Sequence, residues 1–440
     1  MKQRRFHVGR TKLMCAVLFA AVCLSPPVEQ MTSYPSDFEM PVNQRANLPI
    51  YLTANSKAIS SNVRIVHAFP SVHHHKRELA VFANQVGEAT VKTKLFGFLP
   101  WKSVRVKVVP PEYVYAGGQS VGIRLFTHGA MVVGYDRRAT NISPAGKAHI
   151  QVGDIIERID GHTVLKADDV RTWTERAGTS VELTVRRGSE HKVLQVTPAK
   201  DAGGKHHLGL YVRDKTAGVG TLTFYDSVHH RFGALGHVIT DADTGMRING
   251  TGDLLGAQIT GVVKGAPGQP GEKKGSFVAQ SGLIGNIYLN SDYGVFGFMK
   301  QEPSHAYLHT PIPIALPSEV HVGNAKILTV LKGQQVEEFS VQIEDLARQE
   351  IPNTKSMVVK VTDPRLLFAT GGIVQGMSGS PIIQDGKLIG AVTHVFVSDP
   401  TRGYGVYAEW MLNAAKHVND QGMNSVLESR TIAAMSNFVE

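Results

Sequence analysis

The sequence predicts a mostly β protein of several domains, closed at its C-terminal side by an antiparallel β-barrel or a pair of barrels. Three observations carry this expectation. With 440 residues and 42% apolar content, the chain is long enough for two or three packed domains. From residue 199 onward, strand-sized apolar runs separated by glycine turns dominate, and helical periodicity is scarce until the C-terminus. Both cysteines, Cys15 and Cys23, lie in the first thirty residues, so the folded part has no disulfide and must be held by packing.

Residues 1–30 open with the basic "MKQRRFHVGRTK", continue with an apolar run from Leu13 to Leu24, and end on Ser25-Pro26-Pro27. A charged start before a short apolar core predicts a secretory signal peptide or an N-terminal membrane anchor, and hence export. Lys2, Arg4, Arg5, Arg10 and Lys12 against Glu29 also account for much of the +9 net charge, leaving +5 for the rest. That excess is dispersed. With no basic–aromatic interleaving, zinc-ligand spacing or helix-turn-helix pattern, nucleic acid is excluded as a partner.

Residues 31–110 are expected to hold a linker, from Gln30 to Pro49, followed by a small all-β domain of alternating runs such as "VRIVHAF", "LAVFAN" and "KSVRVKVV". His73, His74 and His75 stand in a row. On an extended chain they point to alternate faces and cannot close on one metal ion, so they are assigned to a solvated loop.

The segment 111–198 opens with "VYAGGQSVGIRL" and centres on Ile150-Gln151-Val152-Gly153-Asp154-Ile155-Ile156, followed by Ile159-Asp160-Gly161. Gly153-Asp154 turns the chain between apolar strands, Asp160-Gly161 is a hairpin signal, and Ala167 to Ala177 is the one helix. This α+β unit resembles a PDZ domain. The resemblance implies capture of an extended peptide beside the helix, with Gln119, Ser120, Val121 and Gly122 as the loop offering N–H groups to the peptide.

In residues 199–440, "GVGTLTFYD", "RFGALGHVIT", "AQITGVVKG", "GVFGFM", "EVHVGNAKILTVL" and "EEFSVQIEDL" supply the strands of the expected barrels. Gly376-Met377-Ser378-Gly379-Ser380-Pro381 places a serine between glycines, ahead of two apolar strands joined at Asp385-Gly386. A nucleophilic serine needs a sharp turn to expose its hydroxyl and small neighbours so that backbone N–H groups, here those of Gly376 and Ser378, reach an oxyanion. The hexapeptide and its hairpin resemble the nucleophile region of chymotrypsin-like serine peptidases.

A serine hydroxyl also needs a base. His237, at a strand boundary and flanked by Gly233 and Gly236, is the best placed of the 19 histidines; His229 and His230 are assigned to solvent, and His394 follows the nucleophile in its hairpin and is placed to line the cleft. Asp241 and Asp243 are too close to His237 in sequence to turn back onto it, so Asp363, ending a strand ahead of the nucleophile loop, is chosen as the carboxylate. The stretch Gly265 to Ser276 lacks the spacing of a phosphate loop and carries two prolines, and is assigned to the surface.

Together the N-terminal segment, the PDZ-like unit, "GALGHVITD" and "TGGIVQGMSGSPIIQDGKLIGAVTHV" resemble the stage IV sporulation protein B family of signalling peptidases. The resemblance implies Ser378 as nucleophile, His237 as general base and Asp363 as the residue orienting it, with no metal or other cofactor. It implies export to the space between the forespore membranes, self-cleavage near the N-terminus, for which Val42 to Pro49 is an accessible place, and cleavage of a membrane-associated regulator of an intramembrane protease. A PDZ scaffold with an inactive barrel is the alternative.

Overall fold

The computed structural model describes residues 36–418, apart from 53–54, 74–75, 137–142, 279–281, 304–308 and 348–351. The expected signal segment and the histidines His74 and His75 lie outside the described residues. Two units are present, Met1–Glu112 and Tyr113–Glu440.

In the first unit, Asp37–Pro41 runs parallel to Leu99–Val109, which pairs with Gly87–Leu95 and through it with Lys57–Ser60. A second sheet orders Arg45–Tyr51, Lys76–Ala83 and Val66–His73. Period-two alternation sends Val104, Val106 and Val108 inward against Leu79, Val81 and Val91. The stretch expected to be a linker is therefore largely sheet. Met40, Leu48 and Ile50 are buried in this core, which its proline-bearing, polar composition concealed, and Val42 to Pro49 is not a free segment open to cleavage.

The second unit contains two closed sheets. Ser120–Tyr135 pairs with Gly252–Val263, and the order continues through Leu283–Ser291, Gly294–Met299 and Arg231–Ala234 to Leu210–Asp226. Because Leu210–Asp226 also pairs with Ser120–Tyr135, the ring closes. The second barrel closes in the order Gly323–Val330, Val336–Leu346, Met357–Val361, Asp399–Tyr407, Lys387–Phe396 and Pro381–Gln384. One apolar core joins Phe224, Phe296 and Phe298 of the first ring to Ile327, Phe339, Val359 and Leu388 of the second, and the helix Ala408–Lys416 seals it with Trp410 and Met411. Among the described residues no helix is long and apolar enough to cross a membrane.

Two long strands do double duty. The outer parts of Ser120–Tyr135 and Leu210–Asp226 lie in the PDZ unit, where Val132, Leu210 and Val212 pack with Ile156, Val181 and Leu183. Their inner parts line the first ring, where Val121, Ile123 and Leu125 pack with Leu222 and Phe232. Register shifts near Val212 and between Arg213 and Lys215 mark the passage from one to the other. The boundaries expected at 111 and 199 thus fall outside the PDZ core on one side and inside it on the other, because both strands are continuous pleated runs.

Phe296 is fully buried in the shared core. Phe296→Ala is expected to cost about 3–5 kcal/mol in urea unfolding, whereas Val193→Ala, on an exposed face of the PDZ unit, should stay within about 0.5 kcal/mol of wild type.

Candidate active site

The helix Pro364–Thr370 opens on Asp363 and stops at Gly371, whose φ of 75° is left-handed. From there to Pro381 most polar main-chain groups are tied to a neighbour. Ile373 N–H donates to Pro400 O (2.7 Å), Gln375 N–H to Gly271 O (2.8 Å), Gly379 N–H to Val392 O (2.8 Å) and Ser380 N–H to Met377 O (2.9 Å). On the other side the strand Leu210–Asp226 takes up the loop's carbonyls. Thr221 Oγ1 donates to Gly376 O (2.8 Å), Thr221 N–H to Ser378 O (3.0 Å) and Thr223 Oγ1 to Gly379 O (2.8 Å). Among the described residues the N–H groups of Gly376 and Ser378 have no hydrogen-bond partner. Two free donors flanking a serine are what a developing oxyanion requires.

Gly379 is obligatory. Its φ is 92°, and a Cβ there would stand 2.2 Å from Thr221 O and 2.5 Å from Leu235 N. The same closeness places Ser378 against the turn that carries His237. That turn follows the strand Arg231–Ala234 and uses left-handed φ values at Leu235 (71°) and Gly236 (73°). Gly236 in turn packs on Thr393, whose side chain a Cβ would meet at 3.0 Å. The Thr393 carbonyl accepts the Ser378 hydroxyl at 2.7 Å. Ser378 and His237, 141 positions apart in the numbering, are thus brought to adjoining turns.

The His237 ring is bonded through Nδ1 to the carbonyl of Val238 (2.8 Å). A carbonyl only accepts, so in the neutral ring Nδ1 carries the hydrogen and the Nε2 lone pair is left as a base. Desolvation lowers the pKa of His237, and the Val238 hydrogen bond acts in the opposite direction. The strand extension beyond it is anchored by Asn290, which accepts from Ile239 N–H (2.9 Å) and donates to Ile239 O (2.8 Å) and Ile248 O (3.0 Å). His237, Asp292, Tyr293, Asn353 and His394 line one cleft of about 320 Å³.

Asp363 is not in that cleft. It is the N-cap of the helix Pro364–Thr370, where Oδ1 accepts from Arg365 N–H (2.9 Å) and Oδ2 from the Arg365 guanidinium (3.0 Å) and Ser340 N–H (3.3 Å). The Arg365 bonds hold its carboxyl below the usual range. Asp-Pro is a helix opener as well as a strand end, and here the capping role takes both oxygens.

Gln119, Ser120, Val121 and Gly122 are also placed differently from expectation. Ser120, Val121 and Gly122 start the shared strand, where all three pair with Leu210–Asp226 and Val121 and Gly122 also with Gly252–Val263, while Gln119 precedes it and its carbonyl accepts from Leu222 N–H. Both edges are occupied at Val121 and Gly122, so these two residues offer no row of free N–H groups to a peptide. In the PDZ unit the helix Ala167–Arg176 is tied to the shared strand by Ala167 N–H donating to the Asp214 carboxylate (3.1 Å).

Several residues of the site are not evident from the sequence. Thr221 and Thr223 were visible as alternate positions of "GTLTFYD", whereas the carbonyls of Val238 and Thr393 leave no mark in side-chain chemistry. Lys273 is the largest surprise. The stretch assigned to a surface loop contains the strand Glu272–Phe277, and Lys273 N–H donates to Gln375 O (2.9 Å), clasping the nucleophile loop. The Lys273 side chain is 2% exposed, runs under Gly376 and donates through Nζ to Thr329 Oγ1 (2.5 Å). Burial pushes its pKa down to about 7.

Comparison with known proteins gives residues 204–412 as a match to the SpoIVB peptidase S55 family and residues 142–187 as a match to a PDZ domain. No curated protein matches the chain. Among solved structures it is similar to the PDZ domain of an SdrC-like protein from Listeria monocytogenes, at 17% identity over 19% of this chain and 87% of that one, with a TM-score of 0.17. It is also similar to the Rv3671c protease from M. tuberculosis in its active form (16% identity, 46% and 75% covered, TM-score 0.26). A third is the HtrA-type protease AlgW with decapeptide (12% identity, 51% and 59% covered, TM-score 0.28).

Two outcomes follow from this geometry. Gly379→Ala should forfeit reaction with serine-directed reagents by at least about 10²-fold, because the loop must move away from Thr221 and Leu235. For Lys273, the folded-state pKa lies below the unfolded value, so the stability that the neutral amine allows is complete at high pH and is lost as pH falls from the unfolded value toward 7. Lys273→Met should therefore gain on wild type, by about 2–4 kcal/mol in urea unfolding, between pH 10 and pH 7, with no further gain below.

Proposed function

We propose, from the premise that residues 204–412 are a serine endopeptidase domain of the SpoIVB S55 type joined to a PDZ domain, that this chain is an exported enzyme that cuts itself and then a membrane-associated regulator during endospore formation. The observation that carries the catalytic assignment is the meeting of Ser378 and His237 on adjoining turns, beside two unengaged N–H groups.

In the proposed reaction the Ser378 hydroxyl leaves the Thr393 carbonyl and turns to Nε2 of His237. As Oγ bonds to the scissile carbonyl carbon, its proton passes to Nε2, and the oxygen of the tetrahedral intermediate is held by the N–H groups of Gly376 and Ser378. The Val238 carbonyl keeps Nδ1–H in place throughout. The proton on Nε2 then goes to the leaving amine, and water repeats the cycle on the acyl-enzyme.

The basic start and the apolar run Leu13 to Leu24 support export, with the segment acting as signal or anchor. The likeness of the two peptidase motifs to sporulation signalling peptidases supports the space between the forespore membranes as the place, and a regulator of an intramembrane protease as the substrate whose cleavage triggers sigma-factor processing. The PDZ unit supports capture of peptide segments of that substrate or of the protein's own chain.

Intact-mass analysis of wild type beside Ser378→Ala tests the assignment. Wild type should lose N-terminal residues with time and take up one fluorophosphonate on Ser378, and the variant should do neither while keeping its unfolding midpoint. A wild type that stays whole and unlabelled would make the protein a PDZ scaffold instead. The lowered pKa of His237 further predicts that the acid limb of the labelling rate falls below the ordinary imidazole value of about 6.5, since the base is lost only as pH drops through the depressed pKa.

A further inference from the structure

Thr393 and His394 are successive residues of the strand Lys387–Phe396, and between them they touch both groups of the reaction centre. The Thr393 carbonyl holds the Ser378 hydroxyl (2.7 Å). The His394 ring lies 4.9 Å from the His237 ring, centre to centre, tilted by 40°. The two contacts need no common face, because Thr393 acts through its main-chain carbonyl while the side chain of His394 faces outward. Here the register with Asp399–Tyr407 slips between Val392, opposite Gly405, and Val395, opposite Gly403, so the two residues lie in a β-bulge. Thr393 spends its hydroxyl on Tyr404 O (3.1 Å) inside the sheet, while His394 is exposed and lines the cleft with His237.

On the reading of the chain as a serine peptidase, we infer that His394 is a positioning residue of the reaction, a second imidazole that acts through His237: neutral, it supports the imidazolium formed on His237, and protonated, it opposes it. When Ser378 gives its proton to Nε2, a positive charge appears in a cleft where Asp363 does not reach it. The lone pair of a neutral imidazole 4.9 Å away, ring to ring, is a dipole that can turn toward that charge; His394 itself gains and loses no proton in the step. A second positive charge at that distance would raise the barrier. The other titratable and charged groups facing His394 are Lys355 from the segment before Met357–Val361, and Asp292 and Tyr293 from the turn after Leu283–Ser291; Asp292 is paired with Arg247. Partial desolvation, His237 and Lys355 all act to keep His394 uncharged.

The test is the rate at which a fluorophosphonate phosphonylates Ser378 in the full-length protein, followed by intact mass from acid to neutral pH. This reaction forms an Oγ–P bond, expels fluoride and needs the same proton transfer to His237. Wild type should show an acid limb in which log rate falls with a slope approaching two, one proton on each histidine. His394→Gln, which cannot charge, should reduce the slope to one. His394→Ala should lower the saturating rate about 10–100-fold with less than about a twofold change in the half-saturating reagent concentration. A slope of one in wild type, or an unchanged slope and saturating rate in both variants, overturns the role of His394. So does loss of the second proton in Asp292→Asn but not in His394→Gln. Failure of wild type to be labelled at any pH sinks the peptidase reading itself, and is thereby told apart from failure of this inference.

Discussion

The hydrogen bonds from Thr221 and Thr223 to the carbonyls of Gly376, Ser378 and Gly379 are the constraint on which the site depends. A glycine-rich turn has many conformations, and these bonds select one in which the N–H groups of Gly376 and Ser378 are left without a partner among the described residues. With its carbonyls drawn onto the strand Leu210–Asp226 from one side, and Gln375 and Gly379 bound to Gly271 and Val392 from the other, the loop has little freedom left. Ordering of this kind before substrate arrives is what makes backbone donors effective.

The same strand makes the nucleophile loop mechanically continuous with the PDZ unit. Its first residues pack in the PDZ core and its last hold the loop, with Asp214 between them bound to the start of the PDZ helix. The strand partner Ser120–Tyr135 follows it through both regions. The peptidase rings and the PDZ unit therefore share their longest elements, rather than being joined by a linker.

At His237, a main-chain carbonyl takes the place that a carboxylate was expected to hold. Val238 O fixes the tautomer of His237, while Asp363 caps a helix and is neutralised by Arg365. A buried carboxylate beside His237 would raise its pKa, whereas the desolvated ring found here is kept as the free base at neutral pH. Lys273, beneath Gly376, shows the same effect of desolvation: an amine with no carboxylate in hydrogen-bond reach among the described residues, its charged form disfavoured by burial and its Nζ bound to a threonine hydroxyl.

The sequence by itself determined the local chemistry and the strand content. The strand-sized runs of residues 199–440 supply most of two closed sheets, the signature around Ile150 to Gly161 leads to a PDZ unit, and the G-x-S-G-x-P turn announces a serine held in a tight glycine turn, because each of these is written in a few neighbouring residues. What the tertiary structure decided is everything that depends on which strands lie side by side. Nothing near Asp363 in sequence shows that Ser340 N–H will also meet its carboxylate, and nothing near Val121 shows that both edges of its strand will be paired. Lys273 reads as a solvated charge until the nucleophile loop is laid over it. The partners that set these roles are carbonyls, N–H groups and apolar faces brought from more than a hundred residues away in several cases, and main-chain groups are alike in every residue, so only the fold can say which of them meet.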